Sequence, residues 1–237
     1  VVFLSVKRRN EMKDNSVLKL GSLSAILLGL AKIVSSGIYV LLSPDLRAEV
    51  PAARFLPAFA QSHSLLTAFF WIETLVGVLG LAAVPAISSL VRSANEGWTR
   101  WAGSLASAGF VVAAVGYSLS IARLPGIANA FVAGDASTKA ALAATWKSSI
   151  DLFGLWGYGA VGFWVLVVSL LSLQQKDSVK LLAYLGILHA VLFLLVPVGA
   201  IFKSGTILLV VAGLAVIVAP IWWIWMGMTL RRSASAG

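Results

Sequence analysis

Residues 20–42 read LGSLSAILLGLAKIVSSGIYVLL, 23 positions with a single ionisable side chain, Lys32. As a helix this stretch is about 35 Å long at 1.5 Å per residue. That is enough to cross the roughly 30 Å hydrocarbon core of a bilayer. A span with one lysine near its middle poses two questions at once: what surrounds it in the chain, and what offsets the cost of the charge.

Working outward, five more apolar runs follow, at about 64–90, 101–121, 150–173, 180–201 and 205–230. None alternates as a barrel strand would. The expected fold is all-α, a polytopic bundle of six transmembrane helices forming a single transmembrane domain over 1–237. Composition agrees. Of the 237 residues, 59% are apolar and 11% charged, and the mean hydropathy is +0.95. Soluble domains average about 45–50% and about 25%. An ordinary soluble enzyme, a disordered chain and a nucleic-acid-binding protein are excluded. With no cysteine, disulfides, thiolate metal sites and thiol redox chemistry are excluded too.

The net charge of +9 reads as topology. With the N-terminus in the cytoplasm, that side holds Lys7, Arg8, Arg9, Lys13, Lys19, Arg92, Arg100, Lys176, Lys180, Arg231 and Arg232. The outer side holds Arg47, Arg54, Arg123, Lys139, Lys147 and Lys203. Eleven against six places both termini in the cytoplasm. Residues 1–19 then form a basic cytoplasmic segment without the pattern of a secretory signal. Met12-Lys13 offers a second natural start, which would make 1–11 an upstream extension.

Two outer connections are long. Ser43–His63 carries Pro44, Pro51 and Pro57 and reads as a broken, partly extended loop. In Arg123–Ser149, Asp135 is placed to cap a helix over about 136–149, lying at the interface or running into span four. Trp98, Trp101, Trp146, Trp222, Trp223 and Trp225 fall near span ends and read as an interfacial belt. Trp71, Trp156 and Trp164 lie deeper, for packing or lipid contact. Spans one and four share no pattern that would mark an inverted repeat.

Ionisable groups within a bilayer cost at least about 2.5–3.5 kcal/mol each near its centre. Four stand out. Lys32 lies ten positions before Leu42 and Glu73 ten after His63, so both sit roughly 15 Å deep on antiparallel neighbours. Ala25, Gly29 and Ser36 share the face of Lys32, and Gly77 and Gly80 that of Glu73, which suits close approach of spans one and two. The pair is expected either to clamp these spans or to belong to a polar pathway. Asp151 stands one turn after Lys147 and reads as an i,i+4 pair or as an inward group above Lys32 and Glu73. Its stripe continues through Gly154, Tyr158 and Gly162, and the glycines at 154, 157, 159 and 162 favour close packing. His189, with Gly186 and Phe193 on its face, completes the candidate pathway of Asp151, Tyr158 and His189. A lone histidine at a depth unlike that of His63 reads as packing rather than a haem or metal ligand. No metal and no cofactor are expected. No G-x-S-x-G, P-loop or H-E-x-x-H is present, so no catalytic residue is assigned. Span six carries no lysine for a retinal Schiff base.

Leu182-Ala183-Tyr184-Leu185-Gly186-Ile187-Leu188 opens span five. Pro220-Ile221-Trp222-Trp223-Ile224-Trp225-Met226-Gly227 closes span six ahead of Arg231 and Arg232. With the six-span length and the glycine-rich fourth span, this resembles the small multi-pass bacterial proteins grouped as domain of unknown function 4386. The resemblance implies a bacterial helical bundle in the cytoplasmic membrane. It implies no activity and carries over no catalytic residue.

Three functions follow as expectations. The first is a structural or accessory subunit that packs with other membrane proteins. The second is a transporter or channel for a proton, ion or small solute, using Lys32 and Glu73. The third is a membrane enzyme acting on lipid or quinone. The expected partners are the lipid bilayer and other membrane subunits, with no nucleic acid; the sequence leaves the oligomer open.

Overall fold

The computed structural model describes residues 2–47, 50–146, 150–151, 154–176 and 179–236, with side chains described from residue 16 to 235. All regular structure among them is helical. The elements are α1 (Val2–Leu41), a 3-10 turn (Pro44–Leu46), α2 (Ala52–Gln61), α3 (Ser64–Val91), α4 (Glu96–Ala133) and α5 (Ala136–Thr145). A π-helical turn (Leu155–Ala160) then leads into α6 (Val161–Gln174), followed by α7 (Lys180–Ile201) and α8 (Gly205–Ala236). Among the described residues, six stretches are long and apolar enough to cross a membrane. The chain is a multi-pass, membrane-type helical protein.

The spans close into a ring. Each packs on its neighbour in the order α1, α3, α4, α6, α7, α8, and α8 returns to α1. Small residues set the approach. Gly21 meets Ala86 of α3, and a Cβ there would collide with the Ala86 Cβ. Gly29 and Gly227 admit α8 and α1 to each other, and Ser22 Oγ donates across that seam to the Gly227 carbonyl at 2.9 Å. Gly162 lets α7 in beside Phe193 and Ala190. Such contacts replace the hydrophobic drive that lipid cannot supply. Gly29, Gly77 and Gly80, expected at the α1–α3 seam, serve other seams: Gly29 faces Pro220 and Ile224 of α8, while Gly77 and Gly80 face Phe110 and Ala114 of α4. The reason is the ring itself. Each helix has two neighbours, and a step of three or four residues turns about 60° or 40° around a helix, from one seam toward the next.

Three stretches differ from the sequence reading. Residues 52–61 are a helix, not an extended loop. Pro51 sits at the N-cap, where a missing N–H costs nothing, and Ala52, Phe55, Leu56 and Phe59 form one buried stripe with spacing i, i+3, i+4, i+7. The third span does not stop at Ile121. α4 runs unbroken through Pro125 to Ala133, about 57 Å in all. It therefore projects beyond a 30 Å core, and Leu124, Ala128 and Phe131 on the projecting part are buried against α2. Trp222 and Trp223 are not belt residues. Both are almost wholly buried, packed with Trp164, because α8 continues 13 residues beyond Trp223 and brings the two indoles into the interior. Trp98 and Trp101 are exposed and packed edge to face, as interfacial residues would be.

The two larger hydrophobic clusters among the described residues divide the molecule, beside a small one of Leu192, Val211 and Val218 between α7 and α8. One fills the ring, built around Trp164, Trp222, Trp223, Phe110 and Phe193. The other is a lobe at the end of the bundle away from the termini, where α2 and the end of α4 bury Phe55, Leu56 and Phe59. Trp146 packs on Phe55 in a tilted pair, with centroids 4.5 Å apart. Asp135 caps α5, accepting from the Thr138 N–H at 2.8 Å and the Ser137 hydroxyl at 2.9 Å. These bonds hold its carboxyl down at about 2.

Candidate functional site

The two deep charges meet. Lys32 Nζ donates to Glu73 Oε2 at 2.6 Å, with the Glu73 side chain 6% exposed and that of Lys32 19%. α1 supplies the lysine nine residues from its end at Leu41, and α3 the glutamate nine residues from its start at Ser64. Counting from opposite ends of antiparallel helices puts them at one level, about 14 Å in.

The pair is not sealed between its two helices. Both residues line a cavity of about 40 Å³ in the ring interior, together with Tyr117, Tyr158, Phe110 and Trp223. α4 brings Tyr117, the π-turn brings Tyr158, and α7 and α8 close the far wall with Phe193 and Trp223. Tyr117 and Tyr158 thus face the same small space as Lys32 and Glu73. The space suits one to a few waters, since a single water needs roughly 10–15 Å³ measured in this way. A cation, a carboxylate and two phenol hydroxyls around such a space can accept, hold and pass a proton.

Local sequence explains how span four contributes. A continuous helix was expected from Ile150. Instead the helix starts at Leu155, because Gly154 takes a left-handed conformation at φ 69° and turns the chain. Asp151 then caps the new start. Its carboxylate oxygens accept from the Trp156 N–H at 3.2 Å and the Gly157 N–H at 2.7 Å. This satisfies first-turn donors that have no partner within the helix. Lys147, its expected i,i+4 partner, lies outside the described residues. Gly157 packs by Ala113 and Gly159 by Pro197, so the π-turn sits close against α4 and α7 and aims Tyr158 inward. Interrupted helices at membrane depth occur where protein or a polar cavity satisfies the backbone.

His189 stands apart from the cavity lining. It is fully buried, edge to face with Phe193 at 4.4 Å and near Trp222 at 5.2 Å. Phe193 and Trp223, which touch its ring, line the cavity, and His189 itself does not. Its ring nitrogens, Ser169 Oγ and Trp222 Nε1 have no hydrogen-bond partner among the described atoms. Ser169 and Trp222 both converge on Gly186, where a Cβ would collide with Ser169 Oγ and lie 2.6 Å from Trp222 Nε1. Among the described residues no group of three or more His, Asp or Glu could hold a metal ion.

Of the residues singled out from the sequence, Lys32, Glu73 and Tyr158 share one site. Asp151 supports it from the backbone, and His189 packs behind it. Tyr117 was not foreseen. It falls late in the third run, with no charge to mark it, and the one signal was its place three residues after Ala114 on the face that meets α3. Trp223, foreseen at the interface, belongs to the site wall.

No curated protein and no solved structure matches the chain. A family model described as a domain of unknown function, DUF4386, matches residues 25–227. The match runs from the first span to the Trp-rich end of the last and takes in Lys32, Glu73, Tyr117 and Tyr158, so the chain belongs to the DUF4386 family.

Proposed function

We propose that the protein moves protons across a membrane, as a small transporter or channel whose polar centre is the Lys32–Glu73 pair. The observation that carries this reading is the placement of the pair on a water-sized cavity faced by Tyr117 and Tyr158 from other helices. A clamp between α1 and α3 needs no such opening. The cavity is too small for an organic solute of ordinary size, which favours the proton among possible cargoes. Glu73 is the proton-carrying group, Lys32 is its counter-charge, and the tyrosine hydroxyls extend the route. The orientation that goes with this reading has both termini in the cytoplasm of a bacterial cell, as the distribution of basic residues suggests.

The test is proton flux in proteoliposomes with an imposed pH gradient. Wild-type protein should dissipate the gradient. Glu73→Gln, folded and inserted to the same level, should fall to the rate of empty vesicles. Equal flux in wild type and Glu73→Gln would remove the proposal.

A second reading, an accessory subunit, has one observation in its favour. α4 is the least buried of the six spans, and its exposed face carries Ser104, Ala108, Val111, Val115 and Ser118, a stripe of small side chains suited to another helix. Purification in mild detergent tests it. A stoichiometric membrane partner would favour this reading, and a lone monomer with proton flux would exclude it.

A further inference from the structure

We infer that the α1–α8 seam near the termini is a binding site for one anionic phospholipid. An open groove of about 470 Å³ lies there, lined by Ile26 of α1 and by Met228, Arg231, Arg232 and Ser235 of α8. The four α8 residues follow the spacing i, i+3, i+4, i+7, so they form one exposed stripe. Arg231 and Arg232 border the same space, and neither makes an ion pair with a described residue.

The groove changes character along its length. Ile26 packs against Gly227, one turn or about 6 Å deeper than Arg231. The wall therefore passes from two cations and the Ser235 hydroxyl to the apolar side chains of Met228 and Ile26. A phosphate bound by the arginines would send its acyl chain down that apolar wall. This order of charge and hydrocarbon matches a phospholipid and offers a free phosphate only half of what it provides. Arginine suits the head because its planar fork binds phosphate oxygens in pairs. α1 continues past this level, and residues 2–15 carry Lys7, Arg8, Arg9 and Lys13 against Glu11 and Asp14. The net charge of this stretch is positive, which draws anionic lipid. The site is independent of the Lys32–Glu73 cavity.

The experiment reconstitutes the full chain in nanodiscs of equal parts phosphatidylglycerol and phosphatidylcholine, then counts co-released lipids by native mass spectrometry. Wild type should retain phosphatidylglycerol preferentially. Arg231→Gln/Arg232→Gln should lose at least about fivefold of that preference, since each basic residue near a membrane surface adds to the attraction for anionic lipid. Lys139→Gln/Lys203→Gln removes the same charge at the other end and should keep the preference. Circular dichroism confirms that each variant is helical. Equal retention by the arginine variant, equal loss in the lysine variant, or full displacement by soluble glycerol phosphate would each overturn the lipid site.

Discussion

The ring interior and the α2–α4 lobe solve opposite problems with the same chain. The interior places a cation and an anion 2.6 Å apart in an apolar setting and surrounds them with aromatic rings. The lobe has no buried charge pair among the described residues. It buries Phe55, Leu56 and Phe59 outside the spans, and its ion pair, Arg54 with Asp45, is exposed. In the interior a single substitution leaves a charge without its counter-ion in a mostly apolar setting. In the lobe the same kind of change leaves a group that water solvates at once. The difference identifies the interior as the place where polarity is costly and is retained all the same.

Breaking the interior pair on one side should have the largest effect. Lys32→Met leaves the Glu73 charge buried and alone, and about 3–5 kcal/mol of stability should go. Lys32→Met/Glu73→Gln removes both charges and should regain most of that loss. Unfolding in mixed micelles by denaturing detergent measures both variants. If the double variant is as weak as the single, the cost lies in packing and not in charge.

The lobe should answer in its own way. Leu56 is fully buried in it, and Leu56→Ala should cost about 2–5 kcal/mol locally. Hydrogen exchange should quicken in α2 and the end of α4 while α7 and α8 keep their protection. Uniform acceleration would mean that lobe and bundle unfold together. Smaller again is Gly154→Ala, which forces a side chain into the left-handed region at about 1–2 kcal/mol. The strain falls on the turn that aims Tyr158, so flux should drop more than stability does.

Much of this was legible in the sequence, for identifiable reasons. Lys32 and Glu73 were found because charges in apolar runs are rare, and residue counts from two helix ends gave a common depth. Asp135 was found as a cap because the chemistry of an N-terminus is local. α2 was hidden because three prolines in Ser43–His63 signalled breakage more loudly than its apolar stripe signalled a helix. The extension of α4 was hidden by Pro125 and Arg123, which read as an ending. Trp222 and Trp223 were placed at the interface by their distance from Arg231, since nothing local reveals that α8 runs on to Ala236. Tyr117 could not be found, because an uncharged residue joins a site only through helices far away in the chain.

The smallest expected effect is a titration in the lobe. Asp135 is held at about 2 against an ordinary 3.8, so its folded-state affinity for the proton is lowered. Its cap therefore supports α5 fully above about pH 4 and is lost as the pH falls toward 2. The protection factor of the Thr138 amide, its exchange rate relative to the unstructured chain at the same pH, should fall across that window and stay constant above it. Asp135→Asn should reduce the pH dependence, and an unchanged profile would show that the carboxylate bonds add nothing.

The central claim is that the interior pair serves proton movement beyond holding α1 to α3. The most direct measurement is proton flux through Lys32→Met/Glu73→Gln in proteoliposomes, taken beside its unfolding curve. The double variant should keep near wild-type stability and leave the pH gradient intact. A stable double variant that dissipates the gradient at the wild-type rate would contradict the claim.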